Sequence, residues 1–262
     1  MGRPIFHVNA FTDRPFAGNP AVVCLLTGPA DEAWMQSLAA EMRVSETAYL
    51  YPSGDTYQLR WFTPTVEVDL CGHATLAAAH VLWESGEMDP SATARFMTRS
   101  GLLSATRDGQ WIVMDFPAER ESPADESDAV AEALGVDAVY VGKNRFDFLA
   151  EVRSEGEVRS ARPDLARVAD LPCRGVIVTS RASTPEFDFV SRFFAPGSGI
   201  DEDPVTGSAH SCLGPYWSER MGKKSLVGYQ ASSRGGVVRV TVNDDRVLLA
   251  GQAVTIFRGE LT

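Results

Sequence analysis

The chain contains the passage Arg60-Trp61-Phe62-Thr63-Pro64, which leads through Cys71-Gly72-His73-Ala74 into an alanine-rich stretch ending near Gly86. A variant follows about half the chain later, where Arg192-Phe193-Phe194-Ala195-Pro196 leads through Thr206-Gly207-Ser208-Ala209-His210 into a stretch ending near Gly222. Each copy has the pattern of a strand, a turn-rich loop and a helix. The repetition predicts two similar halves, each presenting the polar N-terminus of a helix to a small ligand.

Length and duplication together predict two domains of about equal size. A chain of 262 residues is long for one domain and ordinary for two. The acidic stretch 118–128 contains Pro123 and shows no periodicity, so we predict a linker there and divide the chain into residues 1–118 and 119–262. The sequence leaves open whether the last strand, 253–257, completes the first half.

Each half combines several short strands with one mostly apolar helix. The segment from His73 to Ser85 is apolar around most of its circumference, which is typical of a helix enclosed by protein. Glu32 to Met42 has the spacing of an amphipathic helix, and Gly214-Pro215 predicts that the second central helix kinks or restarts. These patterns favour an α+β fold with antiparallel sheets over a parallel nucleotide-binding sheet.

Charge and composition narrow the classes of partner. The formal net charge of −11 argues against nucleic acid and anionic membrane as partners. No apolar run approaches the roughly eighteen residues of a membrane-spanning helix, and residues 1–3 do not begin a signal-peptide pattern. We therefore predict a cytoplasmic protein.

The sequence carries no motif for a metal or a cofactor. The four cysteines form no C-x-x-C pair and have no zinc-site spacing with the four histidines. Neither of the two glycine-rich phosphate-binding patterns occurs. We predict no metal and no cofactor.

Glu46 is the first candidate for chemistry. If Val44 to Tyr51 is a strand, its period of two places Glu46 on the same face as Ala48 and Leu50. A carboxylate among apolar neighbours is costly to ionise, which suits a group that both takes and returns a proton. In the alternative register, Glu46 points to solvent.

The loop at Cys71-Gly72-His73 is the second candidate. Gly72 permits a tight turn and leaves backbone N–H groups at the helix start, where they favour a carboxylate ligand. The positive helix end is expected to lower the pKa of His73, so that the ring stays neutral and acts as a proton donor or orients the ligand. Cys71 is either a thiolate or a small buried hydrophobe. The alternative for the whole loop is an ordinary helix cap.

The loop at Asp203 to Ser208 is the third candidate. Pro204 keeps Asp203 extended, and Thr206, Gly207 and Ser208 supply hydroxyl and amide donors at the helix start. An acid beside an anion-binding turn makes sense if one binds an amine or a migrating proton and the other a carboxylate. The alternative is N-capping by Thr206 or Ser208 beside a solvated acidic loop.

Six motifs, in order along nearly the whole chain, resemble the phenazine-biosynthesis PhzF-like isomerase family. They are Asn9-Ala10-Phe11-Thr12 with Phe16-Ala17-Gly18-Asn19-Pro20, Ser45-Glu46-Thr47-Ala48, Arg60-Trp61-Phe62-Thr63-Pro64, Cys71-Gly72-His73-Ala74-Thr75, Glu202-Asp203-Pro204-Val205-Thr206-Gly207-Ser208-Ala209, and Gln230-Ala231-Ser232-Ser233-Arg234-Gly235-Gly236. The resemblance implies a diaminopimelate-epimerase-like fold, with two pseudo-symmetric halves that each wrap a mostly antiparallel, barrel-like sheet around a central helix. It also implies a homodimer and no cofactor.

The same resemblance implies an activity and a set of site residues. In the phenazine-pathway member, a glutamate moves a proton between two ring carbons of a dihydro-hydroxyanthranilate, and Glu46 matches that glutamate. His73, Asp203 and Ser208 match the accompanying catalytic residues that position the carboxylate and amine of the substrate. The remaining residues at the two helix starts are expected to bind the substrate: Cys71, Gly72, Ala74, Thr206 and Gly207.

We therefore expect a cofactor-independent isomerase that shifts a hydrogen within a small, anionic amino-carboxylic acid. The first alternative is a racemase or epimerase with Glu46 and Cys71 as opposing groups. Enzymes of this fold that use two thiols need a cysteine in each half, whereas the second loop has Asp203-Pro204-Val205, and Cys212 lies beyond it in the helix. The second alternative is a binding protein that keeps the fold without turnover.

Overall fold

The computed structural model describes residues 2–262, in which strands and helices alternate throughout. In chain order the strands are β1 (Arg3–Ala10), β2 (Asn19–Leu25), β3 (Glu46–Ser53), β4 (Thr56–Phe62), β5 (Glu67–Val68), β6 (Ala94–Thr98), β7 (Gly101–Asp108), β8 (Trp111–Pro117), β9 (Ser122–Pro123), β10 (Tyr140–Lys143), β11 (Asp147–Glu151), β12 (Gly175–Arg181), β13 (Phe189–Ala195), β14 (Ile200–Asp203), β15 (Ser225–Gln230), β16 (Gly236–Asn243), β17 (Arg246–Gly251) and β18 (Ala253–Leu261). The α-helices are α1 (Glu32–Met42), α2 (Gly72–Glu84), α3 (Ser127–Leu134), α4 (Glu155–Ser160), α5 (Leu165–Asp170) and α6 (Gly207–Met221).

Contacts divide the chain into two units. The first consists of the residues up to Asp115 together with Ala250–Thr262, and the second consists of Phe116–Leu249. The returning segment contributes β18, which pairs antiparallel with β1 along its whole length. The first unit is therefore built from both ends of the chain.

The sheet of the first unit is mostly antiparallel. Antiparallel pairs join β1 to β2, β3 to β4, β4 to β5, β6 to β7 and β7 to β8. Parallel pairs join β2 to β3 and β4 to β6. Helix α2 packs against β1, β2 and β3.

The second unit repeats this order of pairings. Antiparallel pairs join β10 to β11, β12 to β13, β13 to β14 and β15 to β16. Parallel pairs join β11 to β12 and β13 to β15, and α6 packs against β15 and β16. The two units share one topology, which is what the duplicated passage predicts.

Helix α2 is enclosed by protein because its side chains are small or apolar on nearly every side. Ala74, Ala77, Ala78 and Ala79 are each fully buried, so strands can approach the helix axis closely. The larger side chains fill the remaining space: Leu76, Val81, Leu82 and Trp83. The expectation of an enclosed helix therefore holds for α2.

Helix α6 contains Pro215 and nevertheless runs as one element from Gly207 to Met221. Proline has no N–H, so the carbonyl of Ser211, four residues earlier, loses its usual helical partner. The backbone N–H of Glu119 donates to that carbonyl at 3.0 Å. The prediction that the helix restarts at Gly214-Pro215 is wrong, because a neighbouring segment satisfies the carbonyl that the proline frees.

A repeated ion pair fixes the loop before each central helix. Arg60 donates from Nε and Nη2 to the two carboxylate oxygens of Glu67 at 2.7 and 2.6 Å. Arg192 donates in the same way to Glu202 at 2.7 and 2.9 Å. Bidentate pairs of this kind restrict orientation as well as distance. Each strand of the duplicated passage is thereby tied to the loop that carries the candidate site residues.

The stretch 118–128, predicted as a linker, is built into the second unit. It contains β9, which pairs with β10, and the first residues of α3. The backbone N–H of Ala118 donates to the carbonyl of Asp245 at 2.8 Å. The acidic composition suggested a solvated connection, whereas the backbone of this stretch forms hydrogen bonds with distant parts of the second unit.

The close packing of α6 gives a testable prediction. A Cβ added at Gly214 would lie 2.5 Å from Cγ1 of Val240, a core residue with no exposed surface. We expect Gly214→Ala to lower the free energy of unfolding by about 1–3 kcal/mol, measured by urea denaturation.

The matched control is Gly156→Ala in α4, where the nearest atom to the added Cβ is 3.7 Å away. Alanine favours the helix over glycine, so this variant should be as stable as the parent or slightly more stable. Equal stability of the two variants would contradict the crowding argument.

Candidate active site

The first unit brings Glu46 to the N-terminus of α2. Glu46 is the first residue of β3 and pairs in parallel register with Ala21 of β2. It is 7% exposed, which excludes the solvent-facing register. His73 is the second residue of α2, and its Nε2 lies 3.0 Å from Oε2 of Glu46. This is a close contact of opposite charges without the alignment of a hydrogen bond.

The other edge of the His73 ring contacts two polar groups. The Asn19 side-chain amide lies 3.2 Å from Nδ1, and Sγ of Cys71 lies 3.5 Å from the same atom. The Ser45 hydroxyl contacts the Asn19 amide at 3.2 Å. An amide can present its nitrogen to a neutral imidazole or, after a flip, its oxygen to an imidazolium. Asn19 and Ser45 therefore suit a histidine that changes protonation state.

Asn19 was not predicted as a site residue, although it lies within one of the motifs quoted above. It is fully buried at the start of β2, one strand away from β3. The sequence feature that could have identified Asn19 is a polar amide at the start of a buried strand. Without the β2–β3 pairing, nothing in the sequence connects Asn19 with His73.

The charge state of His73 differs from the expectation. Burial disfavours the imidazolium, but the acidic neighbours Cys71 and Glu46 outweigh burial and raise the pKa of His73 well above 6.5. Burial above all, and Glu46 in addition, raise the pKa of the Cys71 thiol to about 11, so the thiol is uncharged at neutral pH. The prediction of a lowered His73 pKa is wrong, because contact with a carboxylate outweighs the partial charge of the helix end.

Glu46, Cys71 and His73 also form a group of possible metal ligands, with one atom from each within 4.8 Å of the others. However, His73 faces Glu46 through Nε2 and Cys71 through Nδ1. A metal ion binds one nitrogen of a given ring, whereas here each ring nitrogen faces a different one of the two other residues. The arrangement suits proton transfer along the ring better than metal coordination.

In the second unit, Asp203 is the last residue of β14, and Thr206 is the N-cap of α6. The Thr206 hydroxyl donates to Oδ2 of Asp203 at 2.5 Å. Gln230, which is fully buried, donates to the carbonyl of Asp203 at 2.7 Å and accepts from the backbone N–H of Thr206 at 2.8 Å. Asp203 is 8% exposed. The carboxylate is therefore oriented by the Thr206 hydroxyl, and Gln230 of β15 holds the backbone around it.

His210 supports the same turn from inside the helix. Its Nδ1 lies 2.8 Å from the carbonyl of Thr206, so Nδ1 carries the proton and donates. Burial lowers the pKa of His210 to about 4, which keeps the ring neutral at physiological pH. His210 is thus a structural histidine, in contrast to His73.

Ser208 completes the second cluster. It is the second residue of α6, and its Oγ accepts from Nη2 of Arg174 at 2.9 Å. Arg174 also forms a bidentate ion pair with Asp147, whose side chain is 1% exposed. Neither Arg174 nor Asp147 was predicted as a site residue, because neither lies in the duplicated passage.

The two helix starts correspond residue by residue. Helix α2 has Cys71 as N-cap, Gly72 as first residue and His73 as second. Helix α6 has Thr206, Gly207 and Ser208 at these positions. The residue that corresponds to Cys71 is therefore Thr206, not Asp203-Pro204-Val205. A hydroxyl bound to Asp203 stands where a two-thiol enzyme would need its second cysteine.

The predicted site residues thus fall into two clusters. The first-unit cluster consists of Glu46, Cys71, Gly72, His73 and Ala74, joined by Asn19 and Ser45. The second-unit cluster consists of Asp203, Thr206, Gly207 and Ser208, joined by Asp147, Arg174 and Gln230. Both clusters are formed where the duplicated loop enters its central helix.

Known proteins with similar sequences and structures show to which family the chain belongs. Residues 8–259 match the model of the phenazine biosynthesis-like proteins, PhzC-PhzF. Over 264 residues the chain is 50% identical to an uncharacterized isomerase of Halalkalibacterium halodurans, covering 100% of this chain and 99% of the relative. The crystal structure of a PhzF-family protein from Enterococcus faecalis superposes with a TM-score of 0.96 at 39% identity, with both chains fully covered.

A more distant likeness concerns the fold alone. A probable proline racemase from Agrobacterium radiobacter K84 superposes with a TM-score of 0.66 at 12% identity, covering 99% of this chain and 93% of the racemase. The fold and the isomerase relatives define an enzyme of the isomerase class. The chain belongs to the phenazine biosynthesis-like family, and the predicted α+β fold is confirmed.

The contact between Glu46 and His73 predicts how the histidine titrates. Replacing Glu46 by glutamine removes the anion that favours the imidazolium, so Glu46→Gln should lower the pKa of His73, measured by NMR titration of the imidazole ring. Glu84→Gln on the same helix is the control, because Glu84 lies 3.6 Å from His80. A His73 pKa that does not change in Glu46→Gln would contradict the proposed contact.

The raised pKa also predicts a pH-dependent stability. A histidine whose folded pKa exceeds its unfolded value stabilises the protein fully below about pH 6.5 and loses this effect as the pH rises through the folded pKa. The difference in free energy of unfolding between the parent and His73→Gln should therefore shrink from pH 6 upward. Denaturation series at several pH values measure it, and a difference that grows with pH would contradict the assignment.

Proposed function

We propose that this enzyme is a cofactor-independent isomerase that shifts a hydrogen within a small amino-carboxylic acid by acid/base catalysis. The observation that supports the proposal best is the buried contact between Glu46 and His73. Oε2 of Glu46 has no aligned hydrogen-bond donor, although it is buried. An acceptor oxygen without an aligned donor suits the removal of a carbon-bound proton from a substrate.

In the proposed reaction, Glu46 removes a proton from one carbon of the substrate and returns it to another. Negative charge develops on the substrate as the proton leaves, and the His73 imidazolium stabilises it or donates a proton to it. Asn19 and Ser45 accommodate both protonation states of the ring. The backbone N–H group of Gly72 supplies a further donor at the start of α2, where the N–H of Ala74 contacts the Cys71 thiol.

The second-unit cluster is proposed to bind the substrate. Asp203 suits a substrate amine, since its carboxylate is oriented by the Thr206 hydroxyl, which itself accepts from Gln230. The Ser208 hydroxyl and the backbone N–H of Gly207 suit a carboxylate at the positive end of α6. An amino-carboxylic acid presents both groups, which supports this substrate class.

The racemase alternative requires an acid/base group that opposes Glu46. Cys71 is close to His73, but its pKa of about 11 leaves it a neutral thiol at physiological pH. The corresponding residue of the second unit is Thr206. Both observations favour the isomerase. Incorporation of deuterium from the solvent separates the two reactions. A hydrogen shift places solvent deuterium on a new carbon, whereas racemisation leaves it at one stereocentre.

We further propose that the enzyme is a cytoplasmic homodimer whose ligand is a small carboxylate rather than a nucleic acid. The homodimer rests on the family resemblance. The net charge of −11 supports the exclusion of polyanions. None of the helices in residues 2–262 is long and apolar enough to cross a membrane.

The decisive variant is Glu46→Gln. A panel of cyclic and linear amino acids is incubated with the enzyme in D₂O, and label is followed by NMR. Removing the base should slow deuterium incorporation about 10²–10⁴-fold, the usual contribution of a general acid/base group. Ligand binding should persist, measured as a rise in melting temperature.

Glu84→Gln is the matched control, because it makes the same change on a partly exposed carboxylate of α2. It should exchange deuterium at the parent rate. A Glu46→Gln variant as active as the parent would remove Glu46 from its role. A parent enzyme that binds amino acids without any exchange would favour the non-catalytic alternative.

A further inference from the structure

Arg174 lies directly before β12, in the second unit, and its guanidinium reaches the second residue of α6. Nε donates to Oδ1 of Asp147 at 2.9 Å, and Nη2 contacts both Oδ2 of Asp147 and the hydroxyl of Ser208. Nη1 donates to no protein atom among residues 2–262, and the side chain is 38% exposed. The guanidinium is therefore fixed on one side and open on the other.

The repeated topology shows which residue of the first unit corresponds to Arg174. Thr47 of β3 pairs with Phe62, two residues after Arg60, and Val176 of β12 pairs with Phe194, two residues after Arg192. Since Arg60 and Arg192 make the same ion pair, Thr47 corresponds to Val176. Counting back along the strands, Gly175 takes the place of Glu46 and Arg174 the place of Ser45.

The parallel neighbours support the same correspondence. Glu46 pairs with Ala21 of β2, and Gly175 pairs with Asp147 of β11. The first unit thus brings a carboxylate to the second residue of its central helix, which is His73. The second unit brings a guanidinium to the corresponding residue, which is Ser208. The strand pairings are the same in both units. The side chain that contacts the second helical residue is anionic in the first unit and cationic in the second.

The carboxylate of Asp147 holds the guanidinium of Arg174 in place. Asp147 is almost fully buried, and its backbone N–H donates to the side chain of Asn144 at 2.8 Å. The rings of Phe146 and Phe193 lie 5.2 and 5.6 Å from the guanidinium carbon. Charged and aromatic contacts together restrict the side chain to one orientation, so binding a ligand costs little further ordering.

We propose that Arg174 binds the carboxylate of the substrate and selects for it. This inference rests on the proposed function. Nη1 offers the free N–H groups, and Ser208 accepts from Nη2, which leaves its own O–H to donate to the same carboxylate. Together with the N–H groups at the start of α6, these donors match a planar anion. Lysine would not replace the arginine, because it lacks the fork that satisfies Asp147 and a ligand at once.

The test compares anthranilate with aniline, which has the same ring and amine but no carboxylate. Replacing Arg174 alone would leave Asp147 buried without a partner, so the main variant is the double change Arg174→Met with Asp147→Asn. Its matched control is Arg153→Met with Asp137→Asn, an exposed pair of the same unit. Arg174→Lys is the conservative variant. Calorimetry gives the dissociation constants, and circular dichroism checks the fold.

We expect the Arg174 double variant to lose about 10-fold or more of its affinity for anthranilate, the size of one charged hydrogen bond, with aniline unaffected. Arg174→Lys should lose part of this preference, and the Arg153 control none. A structural role would weaken both ligands alike, so an unchanged ratio of the two affinities overturns the proposal. A parent enzyme that does not prefer anthranilate to aniline overturns it as well.

The outcomes distinguish this inference from the proposed function. If Glu46→Gln abolishes deuterium exchange while the Arg174 double variant keeps its preference for anthranilate, only the role of Arg174 fails. If Glu46→Gln exchanges deuterium like the parent while the Arg174 double variant loses the preference, the isomerase proposal fails and Arg174 remains a carboxylate-binding residue.

Discussion

The structure of the candidate site depends on one buried contact of opposite charges, between Glu46 and His73. Neither charge is stable alone in this environment, since removing one partner of such a pair typically costs about 3–5 kcal/mol. The alanines of α2 bring the helix close to the sheet, and the β2–β3 pairing presents Glu46 to the helix start. The carboxylate and the imidazolium therefore stabilise each other in the buried site.

The duplication shows how one frame serves two kinds of chemistry. The strand pairings, the arginine–glutamate ties and the glycine at the first helical position are the same in both units. The residues around that glycine differ: thiol, imidazole and carboxylate in the first unit, hydroxyls, guanidinium and carboxylate in the second. The frame supplies backbone N–H groups at a defined place, and a few side chains decide whether they accompany proton transfer or anion binding.

Much of this arrangement was accessible from the sequence. Periodicity predicted α1 with its observed bounds, and the duplicated passage predicted the shared topology and the residues at both helix starts. Five strands were not predicted, namely β5, β7, β9, β14 and β15, and two of them, β5 and β9, are only two residues long. Asn19 and Arg174 could not be predicted, because their partners are distant in sequence and meet them only through strand register. The pKa of His73 was misjudged for the same reason: the helix end was visible in the sequence, but the distance to Glu46 was not.

The pairing of β1 with β18 has a consequence for biosynthesis. The second unit is continuous in sequence and can make all its contacts as soon as its last strand leaves the ribosome. The first unit, although synthesised earlier, lacks an edge of its sheet until the C-terminal residues emerge. Domains usually mature in the order of translation. The first unit departs from this order, because the edge of β1 that β18 covers stays unpaired until residues 253–261 have been synthesised.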